Sequence, residues 1–172
     1  MQTGWQRVRN AVVRWMARYL PRWVMQFLMW ITQAKFLVAV VAVIWQGERV
    51  LLLKHSYRPR YPWGLPTGWI KSGESLDVAV AREVKEETGI VVNQVHWFYS
   101  QSVHRHHLEV GCWMEVAPED APVSMPSSDG EILGTQWVPY GEWPEGLLPT
   151  QIAVIERAYG ERAHIFRSTI DK

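Results

Sequence analysis

The chain has 172 residues, 48% hydrophobic and 20% charged, which suits one globular domain with a true core. Its single cysteine, Cys112, excludes an internal disulfide and a multi-cysteine zinc site, so a reducing compartment, the cytoplasm, is expected. The net charge of +1 is unevenly spread: residues 1–35 hold Arg7, Arg9, Arg14, Arg18, Arg22 and Lys35 and no acid, a balance of +6, while the other 137 residues carry 12 basic and 17 acidic side chains, a balance of −5.

In chain order, "WQRVRNAVVRWMARYL" reads as a helix: Val8, Val12, Trp15, Met16 and Tyr19 recur at helical spacing, with Arg7, Arg14 and Arg18 on another face. Pro21 interrupts it and suits the first turn of a second helix, "PRWVMQFLMWITQ". The segment lacks the small-residue cleavage site of a signal peptide. Its uncharged stretch, Trp23 to Ala34, is 12 residues long, short of the roughly 20 that span a bilayer. Extending it through Lys35 would reach a spanning length, but "FLVAVVAVIW" is rich in β-branched residues and is needed as a buried strand. We therefore divide the chain into a basic helical extension, residues 1–34, and a domain, residues 35–172. Trp5, Trp15, Trp23 and Trp30 of the chain's 11 tryptophans lie in the extension. Arginine with tryptophan on an amphipathic helix suits the interface of an anionic bilayer. The same stripe also suits packing on the domain or across a homodimer. The packing roles are the preferred reading, with peripheral contact with the inner membrane face as the alternative.

After "FLVAVVAVIW", "QGER" reads as a turn into a second strand, "VLLLKHS". "YRPRYPWGLPTGW", with three prolines and two glycines, reads as a loop. Ser75 suits the N-cap of a helix over 76–88, and Gly89 suits its left-handed stop. "IVVNQVHWFYSQS", "HLEVGCWMEVAP" and "EILGTQWVPY" read as further strands. "LLPTQIAVIERAYG" reads as a final helix from Thr150, stopped by Gly160. Strands on both sides of one helix, and a second helix at the end, predict an α/β fold: a mixed sheet sandwiched between helices, with the extra helical segment at the N-terminus.

The central helix carries the chemistry. Glu83, Glu86 and Glu87 stand at i, i+3 and i+4, so they leave one face within one turn, where like charges repel by a few tenths of a kcal/mol per pair. A glutamate-rich "EVKEE" by itself is usually a solvated face. In its setting a hard divalent cation offsets the repulsion, and an open carboxylate patch fits magnesium better than zinc. Arg82 stands four residues before Glu86 and can brace a carboxylate. Gly68 ends a loop whose carbonyls can supply neutral ligands, and Gly73 with Glu74 turns into the helix.

Gly68, Glu74, Arg82, Glu83, Val84, Glu86, Glu87, Gly89 and Ile90 together match the Nudix box, so the chain resembles the Nudix hydrolases over about residues 36–160. The resemblance implies a Mg²⁺- or Mn²⁺-dependent pyrophosphohydrolase in which water attacks phosphorus. It implies that Glu83, Glu86 and Glu87 bind the metal, one of them also serving as base. Arg82 and Glu74 support the loop and helix, and the Gly68 carbonyl is a further ligand. Glu131 resembles the family's distal acidic ligand, with Glu109 and Glu115 as alternatives. One residue departs from the pattern: the family commonly has a second glycine where this chain has Thr67, which bears on the pocket floor.

The expected substrate is a nucleotide-type small molecule, a nucleoside diphosphate linked to another moiety such as a sugar, and no nucleic-acid polymer. An (oxidised) nucleoside triphosphate, and a non-catalytic nucleotide-binding module of the same fold, are the alternatives. Markers of the narrower substrate groups are missing, since the region they occupy reads "HRHH". There a strand would place His104 and His106 on one side and Arg105 and His107 on the other. Before the box, Lys54, His55, Tyr57, Arg58, Arg60, Tyr61 and Trp63 interleave basic and aromatic groups. Arg58, Arg60, Trp63 and Arg105 are the candidate substrate-binding residues.

Overall fold

The computed structural model describes residues 4–118 and 130–170. It divides into two compact units, residues 1–35 and 36–172.

The first unit holds helices α1 (Gly4–Tyr19) and α2 (Arg22–Thr32), with Pro21 as the residue before α2. Proline has no N–H to give α1 and its fixed φ of −56° starts the next helix. The side chains of Arg7 and Met16, expected on opposite faces of α1, lie outside the described residues.

The second unit is built on a mixed sheet of β1 (Leu37–Gln46), β2 (Arg49–His55), β3 (Trp63–Gly64), β4 (Thr67–Trp69), β5 (His96–His104), β6 (His107–Glu115) and β7 (Ile132–Pro139), with helices α3 (Leu76–Thr88) and α4 (Pro149–Ile170). The main path runs β3-β2-β1-β6-β5, β4 also pairing with β1 and β7 with β2. β1 runs parallel to β6 from Leu37↔His107 to Trp45↔Glu115. It pairs antiparallel with β2 only near their turn, at Trp45↔Val50 and Gln46↔Arg49. Beyond that turn the two strands part, leaving β1 free to take β4 at Ala39–Val41 and β2 to take β7.

Burial on both faces explains why "FLVAVVAVIW" shows no alternation. Val41, Val43 and Trp45 pack with Val154, Ile155 and Ala158 of α4. Val40, Ala42 and Ile44 pack with Ala79, Val80 and Val84 of α3. Each residue of β1 from Ala39 to Trp45 is thus inside the protein, and the sheet is a layer between two helices, as the sequence predicts.

Three elements differ from expectation. The run 57–69, expected as a loop, carries the short strands β3 and β4, which pair with β2 and β1. Ile90–Val95 is not a strand, and β5 begins at His96. Its apolar residues Ile90, Val92 and Val95 serve instead to cover the α3 face of the core. Helix α4 does not stop at Gly160 but continues to Ile170. A helix-interior glycine costs about 1 kcal/mol. The next turn offsets this with buried Arg162, whose Nε donates to Glu115 at 2.5 Å, Nη1 to Glu48 at 3.0 Å and Nη2 to the Gly47 carbonyl at 2.9 Å. The same guanidinium lies 5.0 Å from the Trp45 ring centre, tying α4 to the β1–β2 turn and the end of β6.

Candidate active site

Ser75 starts α3 as an N-cap, its side chain accepting from Val78 N–H at 3.4 Å, and Gly89 ends it at φ 76° with its N–H on the Lys85 carbonyl. A side chain at that φ would cost about 1 kcal/mol or more. The two ends fix the register in which Val80 and Val84 go to the core, so Glu83, Glu86 and Glu87 leave toward β4 and solvent.

Arg82 organises the entrance. Its Nε and Nη2 grip both oxygens of Glu74 at 2.8 and 2.9 Å, and Nη2 also donates to the Trp69 carbonyl at 3.0 Å. Its Nη1 reaches Glu83 at 2.5 Å and Glu86 at 3.4 Å. Glu74 accepts in addition from the Lys71 N–H at 2.9 Å. The Arg82 pairing, then the Lys71 N–H, holds the Glu74 carboxyl well below the usual carboxylate range. These bonds hold the loop at β4 against α3.

Glu83 lies directly over Gly68: a Cβ at that position would overlap its carboxylate. Glu87 turns inward and accepts from Thr67 N–H at 3.2 Å. Burial, with the nearby charges of Glu83 and Glu131, pushes the Glu87 carboxyl up to about 8, against the pull of Thr67 N–H and Arg58. Glu86 is open to water, its side chain 57% exposed. Thr67 does not distort the floor. Its backbone keeps a negative φ, as does every described non-glycine residue, and its hydroxyl donates to the Leu65 carbonyl at 3.0 Å.

Among the described residues no three His, Cys, Asp or Glu side chains are gathered as a ready metal cluster. Arg82 holds Glu83 and Glu86, and Glu87 points at Thr67. The donor set nonetheless fits a hard divalent ion. Its glutamates offer carboxylate oxygens, and Glu87 is a partly buried acid whose charged neighbours include two further acids, which Arg58 offsets only in part.

Beside this turn lies a cleft of about 280 Å³, lined in part by Tyr57, Arg58, Thr67, Trp69, Gln101, His107, Glu109 and Gln151. His55 N–H on the Pro62 carbonyl closes the excursion 56–61 into a loop, and Arg58 of that loop lines the cleft. The Arg58 Nη1 is buried with no hydrogen-bond partner. His107 packs against Trp69 at 4.9 Å between ring centres, its Nε2 also buried and unpaired. Glu109 accepts from the Tyr99 hydroxyl and, at 3.4 Å, from Gln101 Nε2. Gln151, from α4, accepts from Leu65 N–H at 2.9 Å.

Of the predicted substrate residues, Arg58 lines this cleft, whereas Arg60, Trp63 and Arg105 are not among its lining residues. Arg60 sits over the Tyr61 ring at 5.4 Å. Trp63 is pinned in β3 against Lys54 and packs on the core under α4. Arg105 and His106 form the two-residue turn between β5 and β6, with His104 opposite His107. The expected alternation of "HRHH" along one strand is therefore corrected: this is a hairpin tip, which moves Arg105 away and brings only His107 inward. Glu115 is engaged by Arg162, Glu109 lines the cleft, and the Glu131 charge is felt by Glu87. Trp69, Gln101 and Gln151 were not singled out by the sequence reading, because the topology, not any local motif, gathers them.

A mixed sheet between two helices, with an acidic turn on one helix beside a cleft, defines a class of proteins before any comparison. The model of the NUDIX domain family matches residues 35–158, and the chain belongs to that family. It is 33% identical over 101 residues to the NAD-capped RNA hydrolase NudC of Mycobacterium tuberculosis, over 58% of this chain and 31% of that protein. It is 35% identical over 83 residues to Nudix hydrolase 6 of Arabidopsis thaliana, over 47% of this chain and 29% of that protein. The chain thus spans under a third of the length of these curated relatives. In fold it is similar to a MutT/nudix family protein of Enterococcus faecalis, with TM-score 0.67 at 18% identity, over 90% of this chain and 74% of the other. It is also similar to the NUDIX domain of Shewanella oneidensis NrtR, solved with ADP ribose, with TM-score 0.61 at 21% identity, over 87% of this chain and 97% of that one.

Proposed function

We propose that this chain hydrolyses the phosphoanhydride of a nucleoside diphosphate linked to another group, with Mg²⁺ or Mn²⁺ held by Glu83, Glu86, Glu87, Glu131 and the Gly68 carbonyl. Water adds to one phosphorus, the bridging P–O bond breaks, and each product leaves with one of the two phosphates. When bound, the ion neutralises phosphate oxygens and makes water a better nucleophile at neutral pH. The chain's own residues do the rest. Arg82 and Glu74 hold the loop and the ligand-bearing turn in one geometry, and their loss is expected to lower activity about 10- to 100-fold. Arg58 offers its unpaired Nη1 to a phosphate oxygen. The exposed face of Trp69 suits a base, while Glu109 and Gln151 suit sugar hydroxyls.

One observation carries this reading: Thr67 belongs both to the acidic turn, through its N–H on Glu87, and to the wall of the cleft that contains Arg58. A diphosphate bound by Arg58 therefore lies next to the carboxylates. The NudC relatives, named for NAD-capped RNA, and the ADP-ribose complex of the NrtR domain support an adenine nucleotide with a diphosphate as the first substrate to try. The test is a panel of nucleotide sugars, dinucleotides and nucleoside triphosphates with Mg²⁺, products separated by chromatography. A nucleoside monophosphate from a diphosphate-linked compound is the expected product. Turnover of triphosphates alone would contradict the substrate class.

A further inference from the structure

We propose that helices α1 and α2 form an in-plane anchor for an anionic lipid surface. Three observations meet here. First, none of the described residues of this unit is buried, and Trp5 is 85% and Trp23 70% exposed. Second, the apolar side chains are ordered on faces. On α1, Trp5, Val8, Val12, Trp15 and Tyr19 fall within one arc of the helix, with Arg14 on the far side and Arg18 on the flank of that arc. On α2, Trp23, Phe27, Trp30 and Ile31 share an exposed face. The rings pair along these faces, Trp15 with Tyr19 at 5.8 Å and Phe27 with Trp30 at 6.3 Å. Third, the charge is single-signed: residues 1–35 carry +6 with no acid.

Among occupants, an anionic bilayer fits this combination. A second copy of the same unit would bring +6 against +6, whereas phosphate headgroups complement it. Tryptophan and arginine together suit the headgroup boundary, where rings sit at the apolar edge and guanidinium groups meet phosphate. Insertion across the bilayer is not involved: no helix among the described residues is long and apolar enough to cross a membrane. Lys35, held over the Trp30 ring at 4.4 Å, adds a cation at the end of the anchor, directly before the catalytic unit begins at Phe36.

The test is sedimentation of the full chain with phosphatidylcholine vesicles containing phosphatidylglycerol, and with phosphatidylcholine alone, followed also by tryptophan emission. Binding to the anionic vesicles, a blue shift, and weakening by salt are expected. Arg14→Gln and Arg18→Gln each lower partitioning about fivefold, and Trp5→Ser and Trp23→Ser lower it on both kinds of vesicle. Hydrolysis of a soluble substrate is unchanged by all four, which separates this result from any failure of the catalytic reading. Equal binding to neutral vesicles, no binding, or binding indifferent to the four substitutions overturns the proposal. A lipid-free dimer dissociated by Trp23→Ser, without vesicle binding, assigns the face to a second copy and overturns it as well.

Discussion

Two titratable side chains near the cleft differ in what their charge needs. Glu87 is partly buried beside Glu83 and Glu131, and its carboxyl is pushed up to about 8. In metal-free buffer its contribution to stability is complete below about pH 4.5 and is lost as pH rises through about 8. Glu87→Gln removes that loss, so at pH 9 without divalent ions the variant melts higher than the parent chain, and at pH 4 the two melt alike. The same substitution lowers Mg²⁺-dependent turnover at least about a hundredfold. His55 has the opposite sign. Burial, then the Arg58 charge, lowers its imidazole to about 4, and both ring nitrogens are buried without partners. Its neutral form contributes stability that is complete above about pH 6.5 and lost as pH falls toward 4. His55→Leu is expected to remove that rise, so that in metal-free buffer the variant's melting temperature falls with pH above about 4.5, the Glu87 loss no longer being offset, which thermal scans across the range measure directly. A slope unchanged by the substitution would show that another group titrates there.

The elements place these side chains, and they also mark what was legible in the sequence. α3 was readable to the residue because its signals are local: the Ser75 cap, the Gly89 stop, and charges repeating at helical spacing. β1 and β2 were readable because a buried strand is an unbroken apolar run, β-branched in β1 and leucine-rich in β2. The loop 57–69 was not, since prolines and glycines announce irregularity without saying which side chains turn inward. Trp63 looks like Arg58 in sequence, yet pairing of β3 with β2 and a bridge to Leu147 turns it into the core. The cleft's far wall, Glu109 and Gln151, is 40 or more residues from Gly68 and is assembled only by the β1–β6 pairing and the docking of α4. The length of α4 was misread for the same reason, because Gly160 is a local stop and Arg162 a tertiary anchor. Arg162→Ala removes three hydrogen bonds to groups that are partly solvated. It should destabilise by about 2 kcal/mol, a fall in melting temperature of about 4–8 °C. Loss of under a degree would mean that the last turns of α4 are held by something else.

At the scale of the molecule, membership of the Nudix family and the mixed sheet between α3 and α4 account for why so acidic a turn is kept: the scaffold presents it beside a cleft with an unpaired arginine. The basic helical unit differs from that machinery in charge, +6 over residues 1–35 against −5 over the rest. The role proposed for the carboxylates of α3 is to hold a divalent ion against a bound diphosphate. The direct measurement is hydrolysis of a diphosphate-linked nucleotide by the full chain as Mg²⁺ is titrated, for the parent and for Glu86→Gln and Glu87→Gln, with folding checked by circular dichroism. The account predicts turnover that rises from zero to saturation with the ion and is abolished in both folded variants. Turnover that persists in chelator, or that survives in both variants, would contradict it.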